Sequence, residues 1–338
     1  MANIVGGIAV SHGPLLCTPP SIWHLRAGAD QKNVNHWYQG RRHHYDELLA
    51  ARAPGFGMAV QAAHQARAYA QCQSSLDQLA DKFKAMRADW VIVVGNDQRE
   101  VFHDDMSPAL LVYTGESIPN IPLTPAQLAK LPPGIAEAEV GHCPPEGAVY
   151  PGHAAQATRI VESLSDAGFD VATSARLPST ADGQHGIPHA FGFVYRRILN
   201  DAPPPSVPVF VNVGVAPNQV RTGRALAFGA ALARAVRDLP DASRVVLIAS
   251  GGLSHFVVDE SLDQKVLQAL SPFDAASLQS IPESWFNGNS GEIKSWMAVA
   301  AAMNEAGLRI DMRDYTPCYR TPAGTGSGMG FVAWSLSV

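Results

Sequence analysis

The stretch Trp90-Val91-Ile92-Val93-Val94-Gly95-Asn96-Asp97-Gln98 decides the fold class. Its apolar run is of strand length, is continuous rather than alternating, and stops abruptly in turn-forming residues. That pattern reads as a strand buried on both faces. Comparable strands are read at Asn3 to Val10, Ala109 to Tyr113, 169–174, Val207 to Val213 and 244–249. Helical spacing fills the intervals, at about 58–87, 152–167, 190–199 and 220–238. The remainder reads as mostly helical until the strand-like segments 315–321 and 330–338. Alternating strands and helices predict an α/β fold with a mostly parallel or mixed central sheet covered by helices on both faces. No repeat and no linker interrupts the pattern, so one catalytic domain is expected over residues 1–338. Two segments stand out. Residues 114–150 form a Pro-rich excursion. Residues 17–57 are polar and rich in Pro, Gly and His, and carry Trp23, Trp37, Tyr38, Arg41 and Arg42. The latter is too long for an ordinary connection, which predicts a functional loop or lid.

Composition narrows the partners. The 338 residues are 46% hydrophobic and 16% charged, with a net charge of −5. No Lys/Arg run or basic stripe is present, so nucleic acid is not an expected partner. No apolar stretch reaches the length of a membrane span. The start, MANIVGGIAVSHG, lacks the charged region of a signal peptide. Cys17, Cys72, Cys143 and Cys318 are scattered and form no CxxC pair, as expected of a cytoplasmic chain with free thiols. A homodimer, the commonest assembly, is compatible with all of this.

In open α/β sheets the loops at strand ends carry the ligands. Three stretches deliver an ionisable group at the end of a regular element: Ser11-His12-Gly13-Pro14, Ser250-Gly251-Gly252-Leu253-Ser254-His255, and Gly291-Glu292-Ile293. Two histidines and a carboxylate on rigid supports match the ligand set of non-haem Fe(II) oxygenases. Each also has a plainer reading. His12 can satisfy backbone groups in a turn. His255 can close a buried strand, although its flanking glycines allow close approach to a ligand and an imidazole suits proton transfer near neutral pH. Glu292, with Asn289 or Ser290 as N-cap, can simply favour a helix N-terminus. His185 and His189, in GQHGIPHAFGF, divide between substrate contact, metal binding and polar loop, and Pro188 argues against a shared helix face. Asn96, Asp97, Gln98, Glu100 and His103 crowd one loop, as a site or as turn chemistry. His24, His36, His43, His44, His64, His142 and His153 read as surface, loop or helix residues.

Taken in order, SHGPLL (11–16), WVIVVGNDQ (90–98), QHG (184–186), SGGLSHF (250–256) and GEIKSWMA (291–298) resemble the class III extradiol ring-cleavage dioxygenases. This is the LigB-type superfamily of the protocatechuate 4,5-dioxygenase β subunit. The resemblance runs over nearly the whole chain, and the long loop and the Asp-Gln variant look most like members near 3-O-methylgallate dioxygenase. It implies extradiol cleavage of a catechol- or gallate-type aromatic by O2. His12 and Glu292 would be Fe(II) ligands, His255 a second-sphere acid/base and His185 a substrate-pocket histidine. His189 and Ser254 are further candidates for substrate contact. One departure matters. The family carries Asn-Asp-His where this chain has Asn96-Asp97-Gln98, and that His is the second metal ligand. Gln98 can ligate through its amide oxygen, Glu100, His103 or His189 can replace the missing imidazole, or the metal is lost. The alternatives to a dioxygenase are a metal-assisted hydrolase or lyase of a phenolic or dicarbonyl compound, and a non-catalytic subunit or binding protein.

Overall fold

A computed structural model describes every residue except Asp105, Ala181, Asp182, His185, Ser337 and Val338. The chain begins with strand β1 (Asn3–Val10). Helix α1 (Trp23–Lys32), a hairpin of β2 (His36–Tyr38) and β3 (Arg41–His43), and helix α2 (Tyr45–Ala51) follow. The segment 17–57 is therefore a folded excursion rather than an open loop. Arg52 ties its end to the carbonyls of Val258, Ala323 and Gly324. Next come α3 (Ala62–Met86), β4 (Trp90–Gly95), β5 (Leu110–Tyr113), β6 (Ser117–Asn120), α4 (Pro125–Leu128) and β7 (Ala148–Pro151). They lead to α5 (Ala154–Asp166), β8 (Ala172–Ser174), the two-residue strands β9 (Ser179–Thr180) and β10 (Gly183–Gln184), and α6 (His189–Phe193). The rest is β11 (Ser206–Val211), α7 (Thr222–Arg237), β12 (Arg244–Ser250), β13 (His255–Val257), α8 (Glu260–Ala269), α9 (Ala275–Ser280), α10 (Ile293–Glu305), β14 (Arg309–Tyr319) and β15 (Thr325–Ser335).

Nine strands form one mixed sheet in the order β13-β15-β1-β12-β4-β11-β5-β8, with β14 paired to β15. Strands β1, β12, β4 and β11 run parallel, whereas β15 is antiparallel to β1 and β5 to β11. The period-2 geometry of a strand sends alternate side chains to opposite cores. Trp90, Ile92 and Val94 join Val245, Leu247 and Ala249 under α5, α7 and α10. Val91 and Val93 join Val246 and Ile248 under α3 and α6. With both faces covered, the parallel strands are apolar through their middles, and polar residues such as Asn3, Ser206, Arg244 and Ser250 stand at their ends.

Helices α7 and α10 approach closely at Gly229, where an added Cβ would lie 1.8 Å from the carbonyl oxygen of Ala298. Helix propensity favours alanine by about 1 kcal/mol, but overpacking costs about 1–3 kcal/mol or more. Gly229→Ala is therefore expected to lower the urea midpoint without changing the denaturant slope. A raised midpoint would show that these helices separate freely.

Candidate active site

Parallel strands β1, β12 and β4 end at the same edge of the sheet, with Val10 beside Ser250 and Ala249 beside Val94. Their trailing residues therefore open onto common space. After β12 the chain does not stay beside β4. It crosses the end of β1 through Gly251-Gly252 and returns as β13, paired antiparallel with β15. This crossing brings His255 next to His12. Gly252 makes it feasible, because an added Cβ would lie 2.3 Å from the His255 ring.

The three residues from separate element ends converge. Glu292 is fully buried, and its Oε2 lies 3.5 Å from His12 Nε2 and 3.5 Å from His255 Nε2. The hydrogen bonds at the far side of each ring assign the tautomers. Ser250 donates its hydroxyl proton to the Ala190 carbonyl, so its oxygen accepts from His12 Nδ1, 3.0 Å away. His255 Nδ1 donates to the Leu253 carbonyl at 2.8 Å. Both rings thus turn Nε2 toward the same carboxylate oxygen. Burial, followed by neighbouring His189, His255 and His142, holds the His12 pKa well below its ordinary value, which keeps that ring neutral. Glu292 accepts from the Gly252 N–H at 2.8 Å and from the Gln98 amide, and neither group balances its charge. Acceptors that converge on a buried carboxylate fit a bound cation. Ligands about 2 Å from one ion stand about 3–4 Å from each other, as His12 and Glu292 do.

Glu292 stands at the N-cap position of α10, and its carboxylate points to the histidines. Glu292 precedes α10 without a side-chain capping bond. The Ser290 hydroxyl instead accepts from the His255 N–H and donates to the His255 carbonyl, clamping that backbone.

Gln98 arrives from β4. The Asp97 carboxylate accepts from the N–H groups of Val101 and Phe102, which curls the loop, and burial raises its pKa to about 7. Gln98 and Arg99 take left-handed backbone conformations (φ 50° and 64°). The Gln98 side chain then lies between Glu292 and Asn289, whose amide is 3.4 Å from it. Glu100 is committed elsewhere. Its carboxylate accepts from the His189 backbone N–H at 2.9 Å and pairs with His189 Nδ1. Burial opposes charge on His189, but Glu100 outweighs it and the His189 pKa rises to about 9. The His189 ring packs edge-on to His12, with centroids 4.9 Å apart. Among the described residues, no three His, Cys, Asp or Glu form a ready-made metal cluster. The position where the resemblance implies a third such donor carries the Gln98 amide.

These groups line one cavity of about 460 Å³, which His103 also borders. His185 lies outside the described residues. Ser254, expected to touch substrate, is turned away from the cavity. Its hydroxyl donates to buried Asp263 and accepts from the Asp259 N–H, so both sides are occupied. His142, which the sequence places among surface and loop histidines, is instead 5% exposed and lines the cavity, with its ring 5.2 Å from His189. Among the described residues its Nδ1 has no hydrogen-bond partner within normal distance, and a Glu139 carboxylate oxygen lies 4.0 Å from it. The length of the excursion 114–150 was the one sequence signal pointing to it.

A curated dioxygenase from Comamonas testosteroni, 2,3-dihydroxyphenylpropionate/2,3-dihydroxicinnamic acid 1,2-dioxygenase, is 33% identical over 99 residues. That match spans 29% of this chain and 28% of the relative. The solved structure of an uncharacterized Escherichia coli K12 protein aligns over 97% of this chain and 99% of its own, at 14% identity and a TM-score of 0.41. Residues 48–326 match the profile of the catalytic LigB subunit of aromatic ring-opening dioxygenase, a span that holds Gln98, His189, His255 and Glu292 and begins beyond His12. With most of its length matched, the chain belongs to the LigB family of aromatic ring-opening dioxygenase catalytic subunits.

Proposed function

We propose that the protein is a non-haem Fe(II)-dependent extradiol dioxygenase that opens a catechol- or gallate-type ring with both atoms of O2. The observation that carries this reading is the buried Glu292 carboxylate facing two imidazole Nε2 atoms at 3.5 Å, in the lining of a cavity. His12 and Glu292 would hold the ion, with the Gln98 amide oxygen as third donor once its amide turns over. Glu100 is excluded from that role by its bonds to His189. A bound ferrous ion supplies open positions for the diol and O2 and a path for electrons between them. The protein residues do the rest. His255 Nε2, held by its Nδ1 bond to Leu253, accepts a hydroxyl proton from the substrate and returns it later. His189, kept cationic by Glu100, donates to the oxyanion so formed.

The test is anaerobic Fe(II) loading followed by O2 uptake with a panel of catechols and gallates. No uptake with iron bound would overturn the reading. Stoichiometric zinc or manganese in the isolated protein would favour the hydrolase or lyase alternative, which rests on the neutral amide at position 98. Gln98→His is expected to tighten iron binding at least about tenfold, because imidazole is the better donor. Chelator competition measures it, and an unchanged affinity would remove Gln98 from the metal's surroundings.

A further inference from the structure

The cavity has a second part that the metal-binding floor does not need. Ile121, Leu123, Leu131 and Ile135, all from the excursion between β6 and β7, form an apolar wall together with buried Ile187. The first four are only partly buried, so their apolar surface faces the cavity rather than a packed core. Apolar surface gathered in a concave site gains most from an apolar occupant.

Charge points the same way. Three carboxylates line the cavity, Glu292, Glu100 and Glu139. The lining arginine and lysine, Arg99 and Lys130, are both exposed, and Arg99 is already paired with Asp104. The partly buried His189 is paired with Glu100. Once a bound metal offsets Glu292, Glu139 still opposes an anionic group on the substrate, and the lining arginine and lysine are solvated. A volume of about 460 Å³ also exceeds what a bare dihydroxylated ring fills, and falls in the range that takes drug-sized ligands.

Resting on the ring-cleavage reading, we propose that the substrate is a catechol bearing an uncharged hydrocarbon substituent, alkyl, alkenyl or a second ring. That substituent lies against the wall formed by Ile121, Leu123, Leu131, Ile135 and Ile187. The wall is a specificity determinant built by the 114–150 excursion, apart from the groups that act on the diol.

The experiment is an anaerobic titration of the iron-loaded protein, followed by tryptophan fluorescence. The ligands are catechol, its 3- and 4-methyl and 3- and 4-propyl derivatives, and the corresponding dihydroxybenzoates. Affinity should rise by roughly fourfold per buried methylene, and the dihydroxybenzoates should bind more weakly than catechol. Leu131→Lys and Ile135→Lys, made separately, should each erase the alkyl preference and improve binding of the carboxylates. If catechol binds but the alkyl series shows no gain, or a dihydroxybenzoate binds tightest, the inference is overturned while ring cleavage stands. If no diol binds at all, the ring-cleavage reading falls and the inference with it.

Discussion

Glu292→Gln is expected to strip the protein of its metal and to lower turnover by at least about a thousandfold, several kcal/mol of lost stabilisation. The metal-free protein should respond in the opposite sense. There, Glu292 is a fully buried carboxylate flanked by two imidazoles, and among the described residues the Gly252 N–H and the Gln98 amide donate to it. A buried charge whose hydrogen-bond donors are neutral costs several kcal/mol, whereas a hydrogen-bonded amide costs far less. The glutamine oxygen can keep the Gly252 bond while the Gln98 amide turns to accept from the new NH2 group. In the presence of chelator, the variant should therefore unfold at higher urea than the parent, by about 1–3 kcal/mol. Iron content and urea unfolding with and without chelator measure both halves. A variant less stable than the parent in chelator would mean that Glu292 holds the fold together, and the metal assignment would lose its main support.

The parts of this architecture that could be read from sequence are those where burial leaves one choice. Strands β1, β4 and β12 need apolar residues on both faces, and their observed ends fall within a residue of the expected ones. Strand β13 could not be read. It is three residues long, and its pairing with β15 is created by the glycine crossing over β1 rather than by any local preference. The segment 17–57 misled for a different reason. Helix α1 places Trp23 and Asp30 in the interior but carries no strong apolar stripe, so its helical period is faint. The candidate site divides along the same line. His12, His255 and Glu292 were legible because each sits at the end of a rigid element. His142 sits in a Pro-rich excursion without periodicity, and only tertiary packing brings it beside His189. Ser254 was misread because adjacency to His255 says nothing about direction. Alternate residues of an extended chain point opposite ways, and its hydroxyl points at Asp263.

His255→Ala is expected to keep the metal and lose most turnover, by about 10²- to 10⁴-fold. The distinction rests on geometry. His255 Nε2 lies as close to Glu292 as His12 does, 3.5 Å in each case, so distance to the carboxylate alone does not separate a ligand from an acid/base. Their supports differ. His12 extends a core strand, and its Nδ1 is held by a serine that is itself tied to α6. His255 stands on a short edge strand beyond two glycines, and its Nδ1 is held by the carbonyl two residues back. A ring supported in this way borders the cavity and can gain and lose a proton without disturbing the element that carries it. Removing it leaves His12, Glu292 and Gln98 in place, so iron should stay bound, with affinity lowered by no more than the about 10- to 100-fold that loss of a supporting group costs. The pH profile of any residual activity should lose the limb that reports the general base. Iron loss comparable to that of His12→Ala would make His255 a ligand instead, and the proton would then have to be taken by His142.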